Sequence, residues 1–529
     1  MTTQAKLILF AVLALSLIAH GLYLTQPFFT DERPLVNSHI EFVDQGTLVP
    51  TIANYPSFYI YLSFPGTLIG VAAQTVLAGY DSLTDATVRM LLTDTGRMAL
   101  GGRIVTLLCL YLVGWFTWAG LRQFVGDWGA GFAALMVVCT PGLLQYGSYL
   151  LPDVPLMMFC LISMILAMRA VSAADRVAGL RLLYFASACA GLAVSTKYNG
   201  AAMVLIVATA GVMLCIEQGR IRGGLLAKTA LNSAGLCLAA FLLGTPGWLI
   251  DPGFFWGALK FEIAHAREGH LVADGVPFLG QIELFLRHTP VIFIAALGGV
   301  LWWGIRLRDR VGGIALAVVL AGIFLAAQSS KQSFQYLLIV LPGLLYFAGL
   351  AVSGFGGVGR GVASLCVIVA LGGSLLQAWP MTRANTSDLA RDWLDNNVTP
   401  DQTIARAWNY VPGLLSEQQF EKLAKTAEFA EVAAEMKAAQ PTLRVVRYPY
   451  SPGYPETGGA DFILTSSRVF DRYYTYGWFT ATPPSPLFDV FRTRKAFYDG
   501  LFASDLWRLV FEADTGNGPR TLIYGRADG

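Results

Sequence analysis

Over its first 380 positions the chain alternates apolar runs near bilayer length with short polar breaks, and it loses that pattern abruptly at Pro380. About 20 helical residues rise about 30 Å, the thickness of the hydrocarbon layer. The runs therefore predict membrane spans at 7–25, 98–121, 128–146, 154–170, 181–196, 199–216, 225–249, 288–305, 312–328, 334–352 and 361–379. One more run, Phe58–Gly79, carries Pro65-Gly66 at its middle and reads as an interfacial or re-entrant element. Beyond Pro380 the periods shorten to a helix over Ser387–Asn396 and strands over Thr403–Trp408, Leu443–Tyr448, Asp461–Thr465, Leu506–Phe511 and Thr521–Tyr524. The expected fold is mainly α, a polytopic membrane bundle over residues 1–380 with a small α/β domain over 381–529.

Basic residues orient the bundle. With Phe58–Gly79 not crossing, Arg122, Arg169, Arg176, Arg181, Arg220, Arg222, Lys228, Arg306, Arg308, Arg310 and Arg360 fall on the side of Lys6, which the positive-inside rule makes cytoplasmic. The loop 26–97 and the C-terminal domain are then external, periplasmic if the membrane is the inner membrane of a bacterium. Composition agrees: 55% hydrophobic and 14% charged residues in 529 exclude a single soluble domain. A formal net charge of +2 gives no reason to expect a nucleic-acid partner. All seven cysteines lie in apolar segments, which suits packed thiols better than disulfides or metal ligands.

This orientation gathers polar groups at the external face. Asp31-Glu32 follows the first span, where a carboxylate can accept a proton from an attacking hydroxyl and a second acid can hold the first in place or bind a cation. Asp153, in Leu151-Pro-Asp153-Val-Pro155, suits a helix N-terminus, and an acid at the bilayer edge is also a functional candidate. Lys197 breaks the positive-inside rule at the end of a span, as does Lys331, and an anionic partner such as a lipid phosphate explains both. Glu262 and His265 have the i, i+3 spacing of one helix face and are candidate metal ligands. An amphipathic interfacial helix whose polar face holds Glu262, His265 and Arg267 is the competing reading.

In order and spacing the chain resembles the polyprenyl-phosphate-sugar-dependent glycosyltransferases of the GT-C class, which include protein O-mannosyltransferases and the lipid A aminoarabinose transferase. The resemblance lies in Asp31-Glu32, Tyr55-Pro-Ser-Phe-Tyr-Ile-Tyr61, Leu151-Pro-Asp153-Val-Pro-Leu156, Gly191 to Gly200, and Gln335-Tyr336-Leu-Leu with Leu341-Pro342. Tyr55 stands where the family has His, Ser57 where it has a second Pro, and Gln335 where it has Arg. The resemblance implies about 11 to 13 spans, and sugar transfer from a polyprenyl-phosphate donor to a hydroxyl of a glycan, lipid or protein acceptor, with inversion. Asp31 would be the base, with Glu32 and Asp153 orienting the acceptor or, in members that use one, a divalent metal. Lys197, Lys331 and Arg267 would hold the phosphate, with Tyr55 and Tyr336 as further substrate contacts. A transporter or lipid flippase is the alternative; it predicts internal repeats and charges near the midplane, and the sequence shows neither pattern.

Overall fold

The computed structural model describes residues 3–527 except 218–219, 269–276, 330–332, 408–409, 440–441, 452–453, 455–458 and 476–485. Helix α1 (Thr3–Tyr23) leads into α2 (Arg33–Asp44), α3 (Phe58–Ala78), α4 (Leu83–Thr93) and the long α5 (Thr95–Cys139). Then follow α6 (Pro141–Gly147), α7 (Asp153–Val171), α8 (Arg176–Thr196) and α9 (Ala202–Cys215). A small hairpin, β1 (Ile216–Glu217) and β2 (Arg220–Ile221), connects α9 to α10 (Gly223–Gly244). The bundle is completed by α11 (Gly247–Ile250), α12 (Pro252–Glu268), α13 (Pro277–His288), α14 (Pro290–Trp302), α15 (Arg310–Ala327), α16 (Leu341–Gly354) and α17 (Gly356–Ala378).

Among the described residues ten helices are long and apolar enough to cross a membrane. Helix α5 counts once among them, yet Gly126 at φ +68° breaks it in two. A residue with a Cβ tolerates that angle poorly, so glycine sets the reversal here. Helix α16, with 14 residues, is apolar but shorter.

Helix α3 has the length and hydropathy of a span and packs along the start of α5. The Tyr59 hydroxyl bonds Thr106, whereas Gly66 and Gly70, further along α3, press on Gly101. The two helices are therefore antiparallel, and α3 lies beside only the first part of α5. Both ends of α3 stay at the end of the bundle where α1 finishes, while α5 continues for another five turns before Gly126. A Cβ at Gly101 would sit 1.9 Å from the Gly66 carbonyl oxygen, so the crossing requires glycine. Pro65 is absorbed within α3 without breaking it, so the expected interruption at Pro65-Gly66 is absent. Ile69, Val76 and Leu77 are 70–82% exposed, an apolar face suited to lipid at the interface. With α3 set aside, α5 divided at Gly126 and α16 added, the described residues hold eleven apolar helical segments. These return the chain to the end it reached after α1.

At that end α18 (Thr386–Asn397) precedes a five-stranded sheet in the order β4-β3-β5-β7-β6. Its strands are β3 (Thr403–Arg406), β4 (Arg444–Arg447), β5 (Phe462–Ser466), β6 (Trp507–Ala513) and β7 (Thr521–Arg526). Strands β3, β4 and β5 are parallel, and β7 joins β5 and β6 antiparallel. The sheet buries Ala405, Ile463 and Leu522 against Phe497, Tyr498 and Leu501 on one face. Its other face packs Ile404, Leu464 and Ile523 on Ala390 and Leu394 of α18. Val88 and Leu92 of α4 join Phe420 and Phe429 in a separate buried cluster, which seats the sheet region on the helices below.

Candidate active site

The turn Phe29–Arg33 is built around one buried ion pair. Glu32 is fully buried and takes both arms of Arg103: Nε donates to Oε1 at 2.8 Å and Nη2 to Oε2 at 2.7 Å. The backbone N–H of Leu150 also donates to Oε1, and that of Phe29 to Oε2, each at 2.8 Å. The remaining guanidinium hydrogens reach the carbonyls of Leu24, Gln26 and Pro27. A carboxylate with four donors on its two oxygens has no free lone pair to offer an acceptor. All four contacts tie Glu32 to the turn on which its neighbour Asp31 stands.

The C-terminal region holds the same turn from above. Arg468, just after β5, stacks over the rings of Phe29 (4.7 Å) and Tyr410 (4.8 Å) and bonds the Tyr149 hydroxyl. Phe29 packs on Tyr149 with centroids 4.8 Å apart. Burial would lower the charge-holding power of Arg468, but Tyr149 and Tyr410 outweigh it and raise its pKa.

Asp153 and Lys197 form a second buried pair, Nζ to Oδ1 at 2.6 Å. Asp153 opens α7, while Lys197 ends α8, where the chain doubles back so tightly that a Cβ at Gly200 would meet the Ala193 backbone at 2.4 Å. The Lys197 ammonium also lies over the rings of Tyr336 (5.0 Å) and Tyr55 (5.7 Å). Burial pulls the Lys197 pKa down, but Asp153 and its hydrogen bond outweigh that and hold it above its ordinary value. Lys197 and Asp153 are thus ion-pair partners of each other.

Tyr55 links the two pairs. Its hydroxyl is pushed well above its ordinary pKa by burial first, then by the charges of Asp31 and Asp153, and further by Tyr336 and Glu262. Asp31, Asp153, Lys197, Tyr55, Tyr336 and Glu262 are thus brought around one locus. Glu262 accepts from Asn54 Nδ2 at 2.9 Å, and His265 stacks on Phe261 at 5.4 Å. Among the described residues no three His, Cys, Asp or Glu side chains converge to hold a metal ion. The Glu262–His265 pair thus lacks a third ligand among the described residues. Lys331 and the side chain of Arg267 lie outside the described residues.

Sequence reasoning missed Arg103 and Arg468. Arg103 had a signal, since a lone arginine inside the apolar run 98–121 needs a buried acid as its partner. Arg468 had none, because only the folded sheet carries it to Phe29.

A polytopic helical bundle with a carboxylate on a rigid turn at one end is the class these features define. Residues 67–249 match the family model described as dolichyl-phosphate-mannose-protein mannosyltransferase. The crystal structure of ArnT from Cupriavidus metallidurans bound to undecaprenyl phosphate shares the fold at TM-score 0.50 and 13% identity, covering 99% of this chain and 98% of that one. The archaeal oligosaccharyltransferase AglB from Archaeoglobus fulgidus, in complex with an inhibitory peptide and a dolichol-phosphate, aligns over 95% of this chain and 79% of its own at 13% identity. Its TM-score of 0.43 is too low to carry an argument. A search of curated proteins gave no match. The chain thus shares the fold of that ArnT structure, and a third of it matches the mannosyltransferase family model.

Proposed function

We propose that the chain transfers a sugar from a polyprenyl-phosphate donor to a hydroxyl of a glycan, lipid or protein acceptor at the external face of a bacterial inner membrane, with residues 1–380 catalytic and 381–529 a periplasmic domain. The observation that carries this reading is the convergence of Asp31, Asp153 and Lys197 on Tyr55 at one end of the bundle. The donor enters laterally from the bilayer with its phosphate beside Lys197, which Asp153 holds in place and whose charge offsets that of the leaving group. Asp31 takes the acceptor proton as the acceptor oxygen bonds the anomeric carbon and the bond from that carbon to the phosphate oxygen breaks. Polyprenyl phosphate leaves, and in-line attack inverts the anomeric configuration. Glu32 and Arg103 serve only to hold the turn.

The test is transfer by the purified full chain in lipid nanodiscs, supplied with a set of polyprenyl-phosphate sugars and a membrane glycolipid extract. One donor is expected to release polyprenyl phosphate and yield an inverted glycoside by NMR. Translocation of the donor across liposomes with no bond cleaved would support a flippase instead.

A further inference from the structure

Three aromatic side chains of the C-terminal region form a strip that is partly open to solvent. Tyr474 and Phe502 are 43% and 39% exposed. Phe502, near the end of the helix over Pro486–Ala503, stands between Tyr474 and Tyr524 of β7. The ring centres step by 6.1 Å from Tyr474 to Phe502 and by 6.0 Å from Phe502 to Tyr524, each with a tilt of 34°. The core beneath fixes the row: Phe470 meets Phe502 edge-on at 5.3 Å, and Tyr498 packs on it at 5.8 Å. Rings held in a row and left in water cost hydrophobic free energy that a ligand covering them would recover.

Each end of the strip carries an accessible ion pair. At Tyr474, Lys495 Nζ donates to both oxygens of Asp499 at 3.0 and 2.8 Å, and the Tyr474 hydroxyl donates to Asp499 Oδ1 at 2.9 Å. The same ammonium lies 5.0 Å from the Tyr474 ring centre. At the other end Arg520 Nε lies 3.6 Å from Glu512 Oε1, and both charges act on the Tyr524 hydroxyl. The four charged side chains are 38–50% exposed, which leaves further N–H groups and lone pairs open to a ligand. Charge cancels within each pair, so the strip selects neither an anion nor a cation. Stacking rings flanked by donors and acceptors of no net charge suit a neutral polyol.

We infer that this strip is a carbohydrate-docking platform, separate from the transfer site, whose ligand is a neutral oligosaccharide. The C–H face of a pyranose stacks on the electron-rich face of an aromatic ring, while its hydroxyls project from the edge. The ring-to-ring steps are close to the length of one hexose unit, so successive sugars lie on successive rings. Their hydroxyls then reach Asp499 and Lys495 at one end and Glu512 and Arg520 at the other, since surface ion pairs hold each other weakly and yield contacts at little cost. An acyl chain would cover the rings but leave those polar groups unused. The inference goes beyond the transferase reading and does not depend on it, because docking needs neither donor nor Asp31.

The probes are maltotetraose, cellotetraose, chitotetraose and mannotetraose, each titrated without donor into the full chain in phosphatidylcholine nanodiscs and followed by saturation-transfer NMR. Saturable binding of at least one is expected. Tyr474→Leu and Phe502→Leu keep an apolar side chain but remove the ring, and each should weaken binding by about tenfold or more. Tyr474→Phe keeps the stacking face and should lose far less. The control is Trp128→Leu, which removes an exposed ring at the other end of the bundle and should bind as the native chain does. Every substituted side chain is exposed, so the variants should fold, which gel filtration checks. No binding of any probe, binding unchanged in Tyr474→Leu and Phe502→Leu, a loss in Tyr474→Phe as large as in Tyr474→Leu, or an equal loss in Trp128→Leu would overturn the inference. Self-association of the native chain that the same leucine variants abolish, with no sugar bound, would assign the strip to a second copy and overturn it as well.

Discussion

Glu32 and Asp31 are adjacent acids with opposite fates, decided by a single arginine. Arg103 places its fork on Glu32 in a water-free setting, where losing one partner of a buried pair costs about 3–5 kcal/mol. Glu32→Gln is therefore expected to lower the thermal unfolding temperature in detergent markedly, and Glu32→Met with Arg103→Met to cost less than the sum of the two single changes. An additive cycle would mean the pair is not coupled. Lys197 gives a pH prediction with a definite sign. Its raised pKa means the stabilisation from Asp153 is present in full below its ordinary 10.5 and is lost only as pH rises through the still higher folded-state value. Thermal stability should show no loss assignable to this pair between pH 6 and 9, and Asp153→Asn should abolish that protection. At this scale the sequence offered candidate polar residues but not which pair with which. Pairing joins positions such as Glu32 and Arg103 across 71 residues, and spacing along the chain does not encode that.

Among the elements, α3 is the instructive case. Its length and apolarity are those of a span, and the basic residues elsewhere in the chain argued that it does not cross. The glycine crossing ties α3 to the part of α5 nearest Phe28. A cysteine at Asp81, just after α3, is predicted to react with an impermeant maleimide from the same side as one at Gln45, just after α2. Protection of the first alone would show that α3 crosses. Gly101→Leu should abolish folded yield, because α3 cannot move away from a side chain facing its backbone. The spans were legible because a bilayer imposes one length and one polarity on them. The Pro65-Gly66 interruption was misread because neighbouring helices accommodate proline inside an apolar helix.

The molecule as a whole couples its sheet to the Phe29–Arg33 turn through Arg468, which grips Phe29 two residues before Asp31. Arg468→Ala is expected to cut transfer by about tenfold through kcat as the turn loosens, with the sheet still folded by circular dichroism. An unchanged kcat would remove this coupling. The strands were visible in the sequence as short β-rich segments, but their order was not, since β4-β3-β5 adjacency depends on crossovers that local pattern does not specify. The aromatic strip of Tyr474, Phe502 and Tyr524 was invisible for the same reason. The central claim is that Asp31 is the base of a polyprenyl-phosphate-sugar transferase, and single-turnover transfer by the full chain in nanodiscs tests it most directly. The native chain should convert bound donor, and Asp31→Asn should bind polyprenyl phosphate with unchanged affinity yet transfer at least about a hundredfold more slowly. Transfer by Asp31→Asn at the native rate would contradict the account.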